Sequence, residues 1–118
     1  MESMETKGVA LVTGSGRGIG LACARELARR GFDVCLNCSS AVSLERTAGA
    51  AEAIAQEFGV RAHAVAADVS DADAAKAMVD ETVQTLGCLD VLVNNAGITR
   101  DGLIARMNPE DFDAVVDV

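Results

Sequence analysis

Four short hydrophobic runs alternate along the sequence with segments in which apolar residues recur every three or four positions. The runs cover residues 8–13, 34–36, 62–67 and 89–93. Their continuous apolar character is typical of parallel strands that are buried on both faces. The third run is rich in alanine, which disfavours sheets, and its position between two helical segments supports the strand prediction.

The segments between these runs have the spacing of amphipathic helices, with charged residues between the apolar positions. Ile19, Cys23 and Leu27 predict the apolar face of a first helix, which Gly31 ends. A second helix ends at Gly59, and its predicted apolar face comprises Leu44, Ala48, Ala51, Ile54, Ala55 and Phe58.

Two further helix starts are predicted. Ser70 followed by Asp73 resembles a capping box in an acidic variant, and the helix that it opens ends at Gly87. Asn108 and Pro109 have the cap and first-turn positions of another helix. Strands and helices that alternate in this way form a parallel sheet with right-handed crossovers, and the expected strand order is 3-2-1-4.

Charge and composition exclude several classes of function. The net charge of −8 argues against nucleic-acid binding, which needs a basic surface, but allows one phosphorylated cofactor in a local cradle. The apolar runs are too short to span a bilayer and residues 1–7 contain no signal region, so we expect a cytoplasmic protein without a membrane partner. We expect residues 1–7 to form a flexible tail and residues 8–118 a single partial domain.

Cysteine chemistry is the first alternative to weigh. Cys35 and Cys38 have C-x-x-C spacing, but a redox pair of this kind lies at a helix start, whereas this pair lies within a predicted strand. A zinc site needs two further ligands, and Cys88 and His63 do not have paired spacing. We therefore predict that the cysteines are small buried hydrophobic residues and that the chain has no metal site.

The most informative segment, residues 13–20, lies between the first strand and the first helix and contains four glycines. Glycines allow a sharp turn and a close approach of backbone to a pyrophosphate, and the helix N-terminus offers free N–H groups. The spacing of Gly14, Gly18 and Gly20 differs from the usual G-x-G-x-x-G pattern. Taken alone, the segment is also compatible with a tight turn that binds nothing.

A second motif, Asn94-Asn95-Ala96-Gly97, follows the fourth strand. Ligands bind at the carboxyl ends of strands in doubly wound sheets, and two adjacent amides there can contact a ligand and brace neighbouring strands. An ordinary turn is the alternative for this tetrapeptide alone. The upstream glycines, and Asp68-Val69 after the third strand, favour a shared ligand site.

Together these motifs resemble the short-chain dehydrogenase/reductase superfamily, and residues 97–103 with Arg106 and Met107 are similar to its 3-oxoacyl-acyl-carrier-protein reductases. The resemblance extends from about Lys7 onward. It implies a Rossmann-like α/β fold, here a truncated (βα)4 half of a doubly wound sheet, and a bound nicotinamide dinucleotide. The implied cofactor-binding residues are Gly14, Ser15, Gly16, Arg17, Gly18, Ile19, Gly20, Ser39, Asp68, Val69, Asn95, Ala96 and Gly97.

The resemblance also implies a role for each part of this site. Residues 14–20 would hold the pyrophosphate and the adenosine ribose, and Asp68 would accept from the adenine amino group beside the backbone of Val69. Residues 95–97 would line the nicotinamide side, while Asn94 would be mainly structural.

Cofactor preference depends on the end of the second strand. A site for NAD(H) usually has an acid there, which repels a 2′-phosphate, whereas the aligned residue here is Cys38. Arg17 can reach a 2′-phosphate and Ser39 can donate to it, so NADP(H) is favoured over NAD(H). Asp33 lies at the opposite end of this strand and is expected to be solvated.

In the family that the chain resembles, a Ser, a Tyr and a Lys beyond the fourth strand perform catalysis, and this sequence contains no tyrosine. The family reaction is ketone reduction of a 3-oxoacyl thioester by hydride transfer, but we expect no catalytic residue in this chain and no activity from it alone. A non-catalytic module that binds a nucleotide or self-associates is the alternative. Because the fourth strand is expected at an edge and one sheet face only partly covered, we predict a homo-oligomer formed through either. A rearranged topology and exchange of the terminal helix are the alternatives.

Overall fold

The structure, a computed structural model, describes residues 6–95 and the backbone of residues 103–106 and 115–117. These residues contain three α-helices and six strands. In chain order they are β1 (Val9–Val12), α1 (Gly18–Arg29), β2 (Asp33–Cys38), α2 (Leu44–Phe58), β3 (Ala62–Ala66), α3 (Ala72–Leu86), β4 (Val91–Asn94), β5 (Leu103–Arg106) and β6 (Val115–Asp117). The four predicted strands and the first three predicted helices are confirmed, and the helix start predicted at Asn108 lies outside the described residues.

Strands β1 to β4 form a parallel sheet in the order β3-β2-β1-β4, as the handedness of the crossovers predicts. Strand β1 lies between β2 and β4, and all four of its residues are fully buried. The chain leaves β1 in one direction to form β2 and β3 and later returns on its other side as β4. Such a reversal of strand order is the place where doubly wound sheets bind ligands.

The predicted edge position of β4 is wrong. Strand β5 pairs with β4 in the antiparallel direction, with Asn94 opposite Leu103 and Val91 opposite Arg106, and β6 pairs with β5 in the same way. The sheet therefore has the order β3-β2-β1-β4-β5-β6, and β4 lies inside it. A returning segment of the same chain supplies the backbone partners that an apolar strand edge would otherwise lack.

The two sheet faces are covered by different helices. Helices α1 and α2 pack on one face of the sheet and α3 packs on the other. Successive residues of a strand point to opposite faces, so the strands contribute side chains to both cores. The first core comprises Ala10, Val12, Ala24, Ala28, Val34, Leu36, Ala51, Ile54 and Val91. The second comprises Val9, Leu11, Cys35, Val65, Met78, Leu86 and Leu89.

The buried face of α1 is shifted by one position from the predicted one. Gly20, Ala24 and Ala28 face the sheet, whereas Ile19 is 82% exposed. Cys23 belongs to the partly buried flank of the helix. Small residues let the helix lie close to the strands, and this close approach turns Ile19 outward at the helix start.

Helix α2 confirms most of its predicted apolar face, including Ala51 and Ile54. Thr47 rather than Ala48 points to the interior, and Ala48 is exposed. The Thr47 hydroxyl donates to the carbonyl oxygen of Ser43 at 2.9 Å, so the buried polar group has a partner.

The cap of α3 differs from the predicted capping box. Asp71 is the N-cap residue, and its Oδ1 accepts from the N–H groups of Asp73 at 3.0 Å and Ala74 at 3.4 Å. The Ser70 hydroxyl bonds to Asp68 instead. At the other end, Gly87 ends the helix in the left-handed conformation at φ 99°, as predicted.

The cysteines are all free, and their surroundings differ. Cys35 and Cys38 are buried within β2, as predicted, whereas Cys88 is exposed and does not fit the prediction. Burial raises the pKa of the Cys35 thiol to about 11, which keeps it unreactive at neutral pH. Within the described residues no helix has the length and apolar character to cross a membrane, and no cluster of potential metal ligands occurs.

Candidate functional site

A cleft of about 400 Å³ opens where β1, β2 and β3 end. Its walls are the segments that follow these three strands, together with the first turn of α2. Six of the residues predicted from the sequence line it, namely Gly14, Gly16, Arg17, Ser39, Asp68 and Val69. The remaining lining residues are Asn37, Cys38, Ser43, Arg46, Ala67 and Ser70.

The turn after β1 requires glycine at specific positions. Gly14 and Gly18 have φ values of 61° and 65°, in the left-handed region that side chains disfavour. Gly20 has a different reason, because a Cβ on it would collide with the carbonyl oxygen of Gly14 and lie 2.9 Å from Nδ2 of Asn95. The helix start therefore packs directly beneath the turn, and the end of β4 closes on both.

The N-terminus of α1 faces this cleft without an internal cap. Arg17 is the N-cap residue, its side chain makes no capping hydrogen bond, and the first turn of the helix has no acidic residue. Ile19 is exposed beside it. The first-turn N–H groups and the positive end of the helix dipole are the groups that proteins use to bind phosphate.

Asn37 holds the turn in place, although the sequence pattern did not single it out. The side chain is 1% exposed, its Oδ1 accepts from the Gly14 N–H at 2.9 Å, and its Nδ2 donates to the carbonyl oxygens of Cys38 at 3.1 Å and Ala67 at 3.2 Å. It thereby links the glycine turn to β2 and to the end of β3. The sequence does contain a signal for this role, a single amide side chain within an apolar strand. A buried polar group must have hydrogen-bond partners, so such an amide indicates contacts with neighbouring backbone.

Ser15, one of the predicted site residues, lies under the turn. Its hydroxyl donates to the carbonyl oxygen of Val12 at 2.6 Å and accepts from the N–H of Asn37 at 2.9 Å. Its own N–H donates to the carbonyl oxygen of Asn37 at 2.8 Å. All three contacts are within the protein, so the side chain of Ser15 braces the turn from below.

Thr13 connects β1 to the end of β4. Its hydroxyl donates to Oδ1 of Asn94 at 3.1 Å and accepts from the N–H of Asn95 at 2.8 Å. The Nδ2 group of Asn95 donates to the Gly14 carbonyl oxygen at 3.3 Å. Both asparagines therefore brace the glycine turn. The other two predicted residues of this motif, Ala96 and Gly97, lie outside the described residues.

Asp68 lies at the far wall of the cleft, after β3. Its Oδ1 accepts from the Ser70 hydroxyl at 2.6 Å and from the Ser70 N–H at 3.0 Å. These hydrogen bonds lower the pKa of the Asp68 carboxyl, so the group is an ionised acceptor at neutral pH. An ionised carboxylate here suits a ligand that presents N–H donors.

The carboxyl end of β2 carries uncharged residues, whereas its amino end carries an acid. Cys38 and Ser39 line the cleft at the carboxyl end. Asp33 lies at the opposite end, as expected, but it is buried rather than solvated, so this part of the prediction is wrong. It accepts from the N–H of Arg61 at 2.9 Å and from the Arg61 guanidinium at 3.0 Å, and this pairing makes its burial tolerable.

Comparison with known sequences agrees with this geometry. The short chain dehydrogenase family matches residues 8–118. The chain is 49% identical over 111 residues to a 3-oxoacyl-[acyl-carrier-protein] reductase from Staphylococcus aureus, covering 92% of this chain and 43% of that protein. It is 47% identical over 113 residues to a 3-oxoacyl-[acyl-carrier-protein] reductase from Synechocystis, covering 96% and 44%. The chain thus spans less than half the length of these relatives.

Solved structures of similar fold match most of this chain. L-sorbose reductase from Gluconobacter frateurii, in complex with NADPH and L-sorbose, matches with a TM-score of 0.70 and 36% identity over 81% of this chain and 35% of that one. Acetoin dehydrogenase from Salmonella typhimurium matches with a TM-score of 0.68 and 42% identity over 80% of this chain and 38% of that one.

Proposed function

The chain belongs to the short-chain dehydrogenase family, and from this premise we propose that its cleft binds a nicotinamide dinucleotide, with NADP(H) preferred over NAD(H). The observation that carries the proposal is the cleft itself. It brings the glycine turn, the residues after β2 and the Asp68 carboxylate to one edge of the sheet. These are the parts that a dinucleotide needs for its pyrophosphate, its ribose and its adenine.

In the proposed complex, residues 14–20 and the N-terminus of α1 hold the pyrophosphate. The Asp68 carboxylate accepts from the adenine amino group, and Val69 lies beside the adenine ring. Asn95 is at the opposite side of the turn, where with Ala96 and Gly97 it lines the nicotinamide half. The nicotinamide, when bound, supplies the hydride of the family reaction.

The preference for NADP(H) rests on the residues after β2. An acid at this position would bind the ribose 2′-hydroxyl and repel a 2′-phosphate. Here Cys38 and Ser39 occupy it, and the exposed Arg17 lines the same cleft. A serine hydroxyl and a guanidinium are donors for a phosphate, and the guanidinium forms charge-assisted hydrogen bonds.

The longer relatives are 3-oxoacyl-[acyl-carrier-protein] reductases. We propose that this chain corresponds to the cofactor-binding part of an enzyme that catalyses the same reaction. That reaction is the reduction of the ketone of a 3-oxoacyl thioester by hydride transfer. We propose that the chain alone is inactive, since the sequence offers no tyrosine as the proton donor. Binding of the cofactor and turnover of the substrate are therefore separate properties.

A second candidate function is self-association, and an apolar groove beside α3 favours it. Ala75, Val79, Val83 and Leu92 line this groove together with the polar residues Lys76, Asp80 and Gln84, and Val83 is 39% exposed. Self-association through a free edge of β4 is excluded, because β5 pairs with that edge. The face beside α3 remains as the proposed contact.

Titration calorimetry of the chain with NADPH and with NADH tests the proposed function. We expect both to bind and NADPH to bind more tightly, because the 2′-phosphate adds charge-assisted contacts. Tighter binding of NADH would contradict the cofactor preference. Absence of binding by either dinucleotide at millimolar concentration would contradict the proposed function as a whole.

A further inference from the structure

The arginines of residues 6–95 fall into two groups. Four of the six pair with carboxylates: Arg25 with Glu57, Arg29 and Arg30 with Glu26, and Arg61 with Asp33. Arg17 and Arg46 have no carboxylate partner within this part of the chain, and both line the cleft after β2. The cleft is lined by these two cations and by one carboxylate, that of Asp68. In a protein with a net charge of −8, such a local excess of cations indicates a site for an anion.

Packing between the glycine turn and α2 places Arg46 at this site. A Cβ on Gly16 would lie 2.6 Å from Oγ1 of Thr47 and 3.9 Å from Nη2 of Arg46. Thr47 is fully buried, and its hydroxyl is bonded to the carbonyl oxygen of Ser43. The first turn of α2 is therefore pressed against the glycine turn, which leaves the neighbouring Arg46 guanidinium above Gly16.

We propose that Arg46 is a specificity-determining residue that binds the 2′-phosphate of NADP(H) together with Arg17. This inference rests on the proposed function and deepens it. Arg46 shares its wall of the cleft with Ser39 and Ser43, which follow β2, and the end of the second strand is where Rossmann-type sites meet the ribose 2′ substituent. A guanidinium fork matches the oxygens of a phosphate, and two of them balance its double charge.

The test compares two probes that differ only in the 2′-phosphate, adenosine 2′,5′-bisphosphate and adenosine 5′-monophosphate. Arg46→Gln should weaken binding of the bisphosphate by about threefold to tenfold, a loss between those typical of exposed and of shielded charge pairs. The affinity for the monophosphate should change by less than about twofold. Arg46→Lys should give an intermediate loss, because it keeps the charge but not the fork. Arg30→Gln is the matched control: it removes the same charge from the far end of α1, and binding of both probes should stay unchanged.

Dependence on pH gives a second readout. A phosphate monoester gains its second charge at a pKa of about 6, so the effect of Arg46→Gln on the bisphosphate should be larger at about pH 7.5 than at about pH 5.5. An equal loss for both probes, or a loss that is independent of pH, would overturn the role of Arg46. If the wild-type chain binds NADPH and NADH and Arg46→Gln leaves their ratio unchanged, this inference fails while the proposed function stands. If neither dinucleotide binds to the wild-type chain, both fail.

Discussion

At the scale of single residues, two glycines of the turn are needed because neighbouring atoms occupy the space that a side chain would fill. Gly20 admits the carbonyl of Gly14 where a side chain would be, and Gly16 admits Thr47 in the same way. By contrast, apart from its chain neighbours and the backbone of its own helix, no atom of the described residues lies within 4 Å of a Cβ built on Gly49 in α2. Glycine therefore has a structural requirement at positions 16 and 20 and none at position 49.

The first prediction concerns this contrast. Gly20→Ala should lower the free energy of unfolding by about 1–3 kcal/mol, because backbone must shift, and it should abolish dinucleotide binding. Gly49→Ala should raise that free energy by about 0.5–1 kcal/mol, since alanine is the better helix former. Urea unfolding and NADPH titration of both variants check this, and equal effects of the two substitutions would contradict the described packing of the turn.

Arg17 carries the second prediction. Arg17→Ala should weaken NADPH about tenfold to a hundredfold, the range of a charge-assisted hydrogen bond that is partly shielded, and should leave NADH nearly unchanged. Titration calorimetry with both cofactors measures the difference, and Arg30→Ala serves as a control in which an arginine paired with Glu26 is lost. Equal weakening of both cofactors would show that Arg17 acts on the fold instead.

At the scale of elements, the hydrogen bonds at the start of α3 differ from those that the local sequence pattern predicts. The sequence predicts a Ser70 and Asp73 capping box, but Asp71 accepts the hydrogen bonds of the first turn and Ser70 orients Asp68. Asp, like Ser, is a strong N-cap residue, and adjacent candidates cannot be ranked by type alone.

The third prediction tests this cap. Asp71→Ala should lower the free energy of unfolding by about 1 kcal/mol, because two N–H groups lose their acceptor. Ser70→Ala should cost less, since within the described part of the chain its hydroxyl bonds only to the exposed Asp68. Chemical denaturation of both variants gives the comparison. A greater loss for Ser70→Ala than for Asp71→Ala would favour the capping box.

At the scale of the whole molecule, we propose that cofactor binding and catalysis are separate properties of this chain. The fourth prediction is that NADPH oxidation by this chain, with an acetoacetyl thioester as substrate, stays at the background rate. General acid catalysis alone contributes about 10² to 10⁴-fold, and the sequence contains no tyrosine to provide it. Turnover near the enzyme median of about 10 s⁻¹ would contradict this expectation.

The fifth prediction concerns assembly through the groove beside α3. Light scattering after size exclusion should give a mass above the 12.1 kDa of one chain, because a partner would bury the apolar side chains of the groove. Val83→Lys should lower the mass towards that of a monomer. Val42→Lys is the control, since Val42 is 93% exposed before α2 and lies outside the groove. A wild-type monomer at tens of micromolar would contradict the prediction.

The sequence by itself determined the parallel core and the location of the candidate site. Apolar runs, helical spacing and helix-ending glycines are local signals that locate the strands and helices. Because the crossover connections between parallel strands are right-handed, these elements form a sheet in the order β3-β2-β1-β4. The turn at residues 13–20 was recognisable for the same reason, because several glycines directly after a buried strand indicate a sharp change of chain direction. Parallel strands then bring the residues after β1 and β3 to one edge of the sheet.

Only the tertiary structure decided which side chains pair with one another at the two ends of the sheet. The bonds of Asn37 to the turn, the pairing of Asp33 with Arg61, and the position of Arg46 above Gly16 all join segments that are distant in sequence. The outward turn of Ile19 depends on how closely α1 approaches the sheet, and the interior position of β4 depends on a strand that returns to it. These contacts form when elements that are distant in sequence pack together. Close packing and the need to pair buried polar groups then decide which side chains meet, and local sequence patterns do not contain that information.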